Sequence, residues 1–178
     1  MPSLDRLPEG EFASEFDEAY ETDQLEIRGA IFHQPLGRVP RRPLVTLSPT
    51  TTVAEAIRTL NQQHTGCALV VHGSQLVGIF TERDILTKVV GAVDMETTRV
   101  EAVMTAGPDT LPPSASIAFA LRKMTIEGYR HIPVVAPDGS PIGVVAVRDI
   151  VAWMVELFPE SIYNLPPEPG FLKGVDGG

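Results

Sequence analysis

The chain states one pattern twice. The stretch from Leu47-Ser48-Pro49 to Ile85 returns, diverged, as Leu111-Pro112-Pro113 to Ile150. Ala54-Glu55-Ala56-Ile57-Arg58 aligns with Ala118-Phe119-Ala120-Leu121-Arg122, Val70-Val71 with Val134-Val135, Gly78 with Gly143, and Arg83-Asp84-Ile85 with Arg148-Asp149-Ile150. The offset is 64 residues up to the valine pair and 65 beyond it, so one inserted residue in one loop reconciles the copies. An internal repeat decides architecture before any local reading does. Two like units in a short chain are expected to pack about a pseudo-twofold axis, and the clefts between them become natural ligand sites.

Each unit has its own order of elements. In the first, Leu44–Leu47 reads as a short strand, and Thr52-Val53-Ala54-Glu55 as a capping box that opens a helix to about His64. Cys67–Val71 and Gln75–Phe80 read as strands joined by a turn at Gly73-Ser74, and Thr81 caps a second helix running to about Val90. In the second unit the equivalents are Thr110-Leu111, a helix from Ser116 to Glu127, strands His131–Val135 and Ile142–Val147 around the turn Pro137-Asp138-Gly139-Ser140, and a helix from about Arg148 to Leu157. The expected fold is α/β (α+β), two β-α-β-β-α units. Residues 33–43, rich in proline, read as an extended lead-in with solvated arginines or, alternatively, a phosphate-facing Arg38, Arg41, Arg42 cluster.

Charge is concentrated at one end. Residues 1–28 hold nine acids against Arg6 and Arg28, while the other 150 residues hold 14 acids and 12 bases. The first segment reads either as a solubilising acidic arm or as one amphipathic helix through Phe12, Phe16 and Tyr20. The repeats are nearly neutral, so an anion meets no strong opposing field, and no basic stripe exists to neutralise nucleic-acid phosphates. No apolar run approaches the roughly 20 residues of a membrane span, and the N-terminus lacks a signal-peptide pattern. With Cys67 as the lone cysteine, a soluble protein of a reducing compartment, most simply the cytoplasm, is expected. Four scattered histidines and one cysteine offer no metal-site spacing, and no phosphate-binding Gly-x-x-x-x-Gly-Lys run is present.

The doubled pattern resembles a tandem pair of CBS domains (cystathionine β-synthase domains, the Bateman module). Its carriers are Gly78-Ile79-Phe80-Thr81-Glu82-Arg83-Asp84, Met104-Thr105, and Tyr129-Arg130-His131-Ile132-Pro133-Val134-Val135. The resemblance divides the chain into an acidic arm and linker at 1–36, repeats at 37–92 and 93–158, and an irregular Pro/Gly-rich tail at 159–178. It implies a non-catalytic regulatory protein, often a homodimer, that binds AMP, ADP, ATP or S-adenosylmethionine between its repeats and acts on a protein it does not identify. A ligand-independent scaffold is the other reading, and an enzyme a third without a nameable catalytic base.

The resemblance also implies two clefts. Cleft A would combine Thr81 and Asp84 with Thr105, Tyr129, Arg130 and His131, with Arg83 and Ile132 as further ligand-binding candidates. Asp84 would accept a ribose diol, Tyr129 would wall the base, and Arg130 and His131 would meet phosphate. Cleft B would combine Arg148 and Asp149 with Arg41, Thr65, Gly66 and Cys67, with Ala146 in the place of Thr81 and Arg41 in the place of Thr105. Each residue also has a plainer reading: Thr81 as a helix cap, Asp84 as dipole compensation, Tyr129 as seam packing, His131 as a core histidine. Trp153, Met154, Leu157 and Phe158 read as a dimer contact or as a cap on the core.

Overall fold

Thr52 and Ser116 begin the long helix of each repeat by the same device. The Thr52 hydroxyl accepts from the Glu55 amide at 3.3 Å while Glu55 reaches back to the Thr52 amide at 3.2 Å; Ser116 accepts from the Phe119 amide at 3.2 Å. These caps satisfy amides that the first helical turn leaves orphaned. The computed structural model describes residues 29–157, so the readings made for the acidic segment 1–28, for Phe158 and for the tail fall outside the described residues.

The first repeat runs β1 (Thr46–Leu47), α1 (Val53–Gln62), β2 (Cys67–His72), β3 (Gln75–Thr81) and α2 (Glu82–Asp84), which continues as a π-helical turn over Ile85–Val89. The linker contributes β4 (Thr105–Ala106). The second repeat runs α3 (Ile117–Ile126), β5 (His131–Val135), β6 (Pro141–Ala146) and α4 (Val147–Leu157). The first sheet has the order β1-β2-β3-β4, with β1 parallel to β2 and the other pairs antiparallel. In the second, β5 and β6 pair antiparallel and the counterpart of β1 is a single parallel bridge from Leu111 to Val134. The expected strand 44–47 is thus reduced to two residues, with Leu44 39% exposed.

The repeats agree in detail. A register shift falls between Val70 and Val71 in one hairpin and between Val134 and Val135 in the other. The extra residue lies in the second hairpin turn: Val71 pairs with Leu76, but Val135 with Pro141. Gly78 and Gly143 serve one purpose, since a Cβ on Gly78 would strike the Met104 side chain and one on Gly143 would come within 2.7 Å of Arg41 Cδ.

The lead-ins depart from the sequence reading. Residues 33–43 keep Arg38, Arg41 and Arg42 at the surface as expected, but the segment is more than a linker: a 3-10 turn over Leu36–Arg38 buries Leu36 and Val39, each 1% exposed. Both join Ile31 in the core of the second repeat, with Leu111, Ile117, Ile132, Ile150 and Trp153. Reciprocally, Val100 and Val103 complete the core of the first repeat around Val53, Leu60, Val70 and Phe80. The backbone follows the same exchange: Leu36 and Gly37 amides bond to the carbonyls of Ala115 and Pro113, as those of Val100 and Glu101 do to Thr51 and Pro49. A smaller cluster of Cys67, Leu69 and Ile79 against Val144 joins the two sheets.

Trp153 caps the core and is not a free contact surface; Met154 packs beside it and Leu157 is exposed. No helix among the described residues is long and apolar enough to cross a membrane. Leu36→Ala should lower unfolding free energy by about 2–5 kcal/mol in denaturant titrations, the cost of a cavity in a closed core. Leu44→Ala, by contrast, should stay within roughly 0.5 kcal/mol; equal losses would contradict the exchange of lead-ins.

Candidate functional site

Cleft A opens where the end of β3 and the start of α2 face β4 and the turn from α3 into β5. The chain leaves β3 at Thr81, whose hydroxyl accepts from the Asp84 amide at 3.3 Å, and Asp84 Oδ2 returns to the Thr81 amide at 3.0 Å. The plain capping reading is therefore realised. It does not exhaust the residue: the Asp84 side chain also lines a cavity of about 390 Å³ together with Thr81, Arg83, Thr105, Tyr129, Arg130 and His131.

Asp84 is 5% exposed and its carboxylate is fully engaged. Oδ2 accepts from the Thr81 hydroxyl at 2.7 Å in addition to the amide, and Oδ1 accepts from Lys88 Nζ at 2.6 Å and the Thr105 hydroxyl at 3.0 Å. Burial alone would raise the Asp84 pKa, but hydrogen bonds from Lys88, Thr81 and Thr105 outweigh it and hold the carboxyl below its ordinary value. Lys88 is the functional partner the sequence reading missed. Its signal was the spacing, since Asp at i and Lys at i+4 share a helix face.

The other wall comes from the second repeat. Gly128, at φ +72°, ends the turn after α3 and offers its carbonyl to Arg83 Nη1 at 3.2 Å, a hydrogen bond between repeats. Tyr129 is 37% exposed at the rim; Glu127 beside the phenol, with burial and Asp109, raises its pKa. Asp109 and Glu127 are in turn bridged by Lys123, at 2.8 Å and 3.4 Å. These carboxylates and Glu82 also line the cleft and were absent from the sequence reading. His131 is half-buried, and burial pushes its pKa down, so it faces the cleft as a neutral ring. Ile132 differs from expectation. Alternation along β5 turns it away from His131 into the core, 1% exposed, and it does not line the cleft.

Arg148 and Asp149 are not part of cleft A. Arg148 lines a neighbouring cavity with Asn61, His64, Arg130 and His131. Asp149 Oδ2 accepts from the Ala146 amide at 2.9 Å, the counterpart of the Thr81 bond without a hydroxyl, and Oδ1 accepts from Arg42 Nε at 2.7 Å. Arg42, not Arg41, therefore reaches the carboxylate. Arg41 lies over Gly143 as Met104 lies over Gly78, so the contacts have moved by one residue. Pro40 and Pro43 also remove amide donors that an edge strand like β4 would need, and no strand forms there. Cys67 is buried, and burial raises its thiol pKa to about 11.

The CBS domain profile matches residues 36–91 and again 100–156. The chain is 35% identical over 120 residues to the CBS domain-containing protein CBSX3, mitochondrial, of Arabidopsis thaliana, a match covering 64% of this chain and 58% of that one. Among solved structures, it resembles a putative signal-transduction protein with CBS domains from Burkholderia ambifaria, with TM-score 0.62 and 33% identity over 68% of this chain and 90% of that one. It also resembles the CBS domain protein PAE2072 of Pyrobaculum aerophilum, solved in complex with AMP, with TM-score 0.62 and 27% identity over 70% of this chain and 98% of that one.

The ionised Asp84 sets an acid limb to stability. A carboxyl held below its unfolded-state pKa confers stability that is complete above the unfolded value and lost as pH falls through the folded one. Asp84→Asn should lower the melting temperature at neutral pH and flatten its decline below about pH 5. An acid limb of unchanged slope, measured by thermal melts across pH, would count against the network.

Proposed function

The chain belongs to the CBS-domain family, and from that premise we propose that it is a non-catalytic regulatory module that binds AMP, ADP, ATP or S-adenosylmethionine in cleft A. The observation that carries this reading is the buried Asp84 carboxylate, set by one repeat at the edge of a cavity walled by the other. About 390 Å³ is within the range of small-molecule sites. In binding, a vicinal diol takes the places of Lys88 and the Thr105 hydroxyl on Oδ1; Lys88, one turn along the helix, swings into solvent. Tyr129 lies flat against the base, and Arg130 and neutral His131 face the phosphate or the charged end of the ligand. The AMP in the Pyrobaculum relative supports the ligand class.

The working unit of this reading is the repeat pair, 37–92 and 93–158, together with the lead-in from Ile31 to Leu36 that packs into the second core; the regulated protein would be engaged by the acidic arm or the tail. A reducing cytoplasm suits its buried lone thiol. A second reading, a ligand-independent scaffold, is favoured by one observation: Asp84 already has four intramolecular donors. Thermal shift separates the two. Ligand at about 100 times its Kd should stabilise the fold by about 2.7 kcal/mol, which raises the melting temperature by several degrees. Asp84→Asn should weaken binding roughly 10- to 100-fold, the worth of hydrogen bonds to a charged group, and far more than Asp149→Asn does. No shift with any of the four ligands at millimolar concentration would favour the scaffold.

The same module pairs with a second copy through its helix faces. Leu86 and Val90, 72% and 66% exposed, project beside α2, and Val151 on α4 is half exposed. Light scattering should report a dimer for the wild type and a monomer for Leu86→Glu; a monomeric wild type would dismiss the pairing.

A further inference from the structure

Cleft B is built from the same parts as cleft A but does not form one cavity. The space around Asp149 is divided in two, beside the separate cavity of about 390 Å³ lined by Thr65, Gly66, Ala146 and Arg148. An outer compartment of about 480 Å³ lies toward Trp153 and Glu156, and an inner one of about 20 Å³ lies against Cys67, Val144 and Ala146. Arg42, Pro43, Val45, Thr65 and Asp149 line both compartments, so the Arg42–Asp149 pair lies at the boundary between them. By the repeat alignment, the inner compartment corresponds to the part of cleft A lined by Ile79, Thr81 and His131.

We propose that Arg42 closes cleft B from within, by occupying the Asp149 carboxylate that would otherwise accept a nucleoside diol, and so limits the chain to one nucleoside ligand. The inference rests on the reading of cleft A as a nucleoside site. Arg42 Nε meets Asp149 Oδ1 at 2.7 Å, a charge-assisted bond that a neutral hydroxyl must displace. Lys88 makes a comparable bond to Asp84, but the two cations differ in what holds them. Lys88 hangs from the same helix as its partner, one turn along. Arg42 stands between Arg41, packed over Gly143, and Pro43, whose ring fixes the chain direction, in a lead-in anchored by buried Val39. Cleft B also lacks compensating donors. Ala146 stands where Thr81 offers a hydroxyl, and Arg42 itself stands where Thr105 does.

Equilibrium dialysis with AMP, ATP and S-adenosylmethionine in turn tests the inference on the full chain. The wild type should bind one equivalent. Arg42→Thr, which restores the hydroxyl of the Thr105 position, should bind two, and Asp149→Ala added to it should remove the second. Arg42→Lys, which keeps a cation on Asp149, should remain at one. Arg42→Ala serves as the opening variant if the threonine form does not fold. Two equivalents on the wild type, or one on both opening variants, overturns the inference. Failure of the cleft A reading has a different signature: a wild type that binds none while Arg42→Thr binds one, sensitive to Asp149, removes cleft A and leaves the closure of cleft B standing. No binding by either protein overturns both.

Discussion

Each repeat leaves one side of its helix–sheet layer bare, and the apolar residues that cover it come from the segment leading into the other repeat. Leu36 and Val39 enter the second core, and Val100 and Val103 the first. Hydrophobic burial drives this exchange, because neither unit of fewer than 70 residues encloses enough apolar surface alone. The site follows from it. Thr105 reaches Asp84 only because the linker must cross the face of the first repeat to bury Val103, and it then pairs with β3 through Ile79. Arg42 reaches Asp149 for the same reason from the other side.

Much of this architecture was readable from residue order. The repeat, its single inserted residue and the Thr52–Glu55 capping box follow from alignment and local chemistry, whereas the opposition of Thr81 and Asp84 to the 129–131 segment comes from the family resemblance. The crossing of residues 29–39 did not, because a short proline-rich stretch has neither helical nor strand periodicity, and Leu36 and Val39 carry no pattern that betrays burial. The one-residue displacement from Arg41 to Arg42 was equally hidden. An offset that holds through Val39 and Val103 predicts Arg41, and only the backbone around two prolines decides otherwise. Ile132 follows His131 on β5, and strand alternation sends such neighbours to opposite faces. Lys88 is within reach of the i to i+4 rule, which places it on the helix face of Asp84.

The two clefts show how close copies diverge in electrostatics while keeping a fold. In both, a buried carboxylate at a helix entry is matched by a cation, consistent with the cost of leaving it unpaired. In cleft A the cation arrives from the helix itself, and at the rim Lys123 pairs with Asp109 and Glu127. In cleft B the cation arrives from the lead-in and stands in the middle of the space. The two halves thus differ at the crossing segment, Arg42 against Thr105, and at the helix entry, Ala146 against Thr81.

The traded lead-ins also bear on ancestry. A polypeptide holding only one such unit would have an open core and could close it only by reciprocal swapping with an identical molecule. Tandem duplication of its gene would then have made that swap intramolecular, converting a concentration-dependent association into a fixed one. Once covalently joined, the two halves no longer had to be identical, and the freedom to mutate one without the other is what the unlike clefts record.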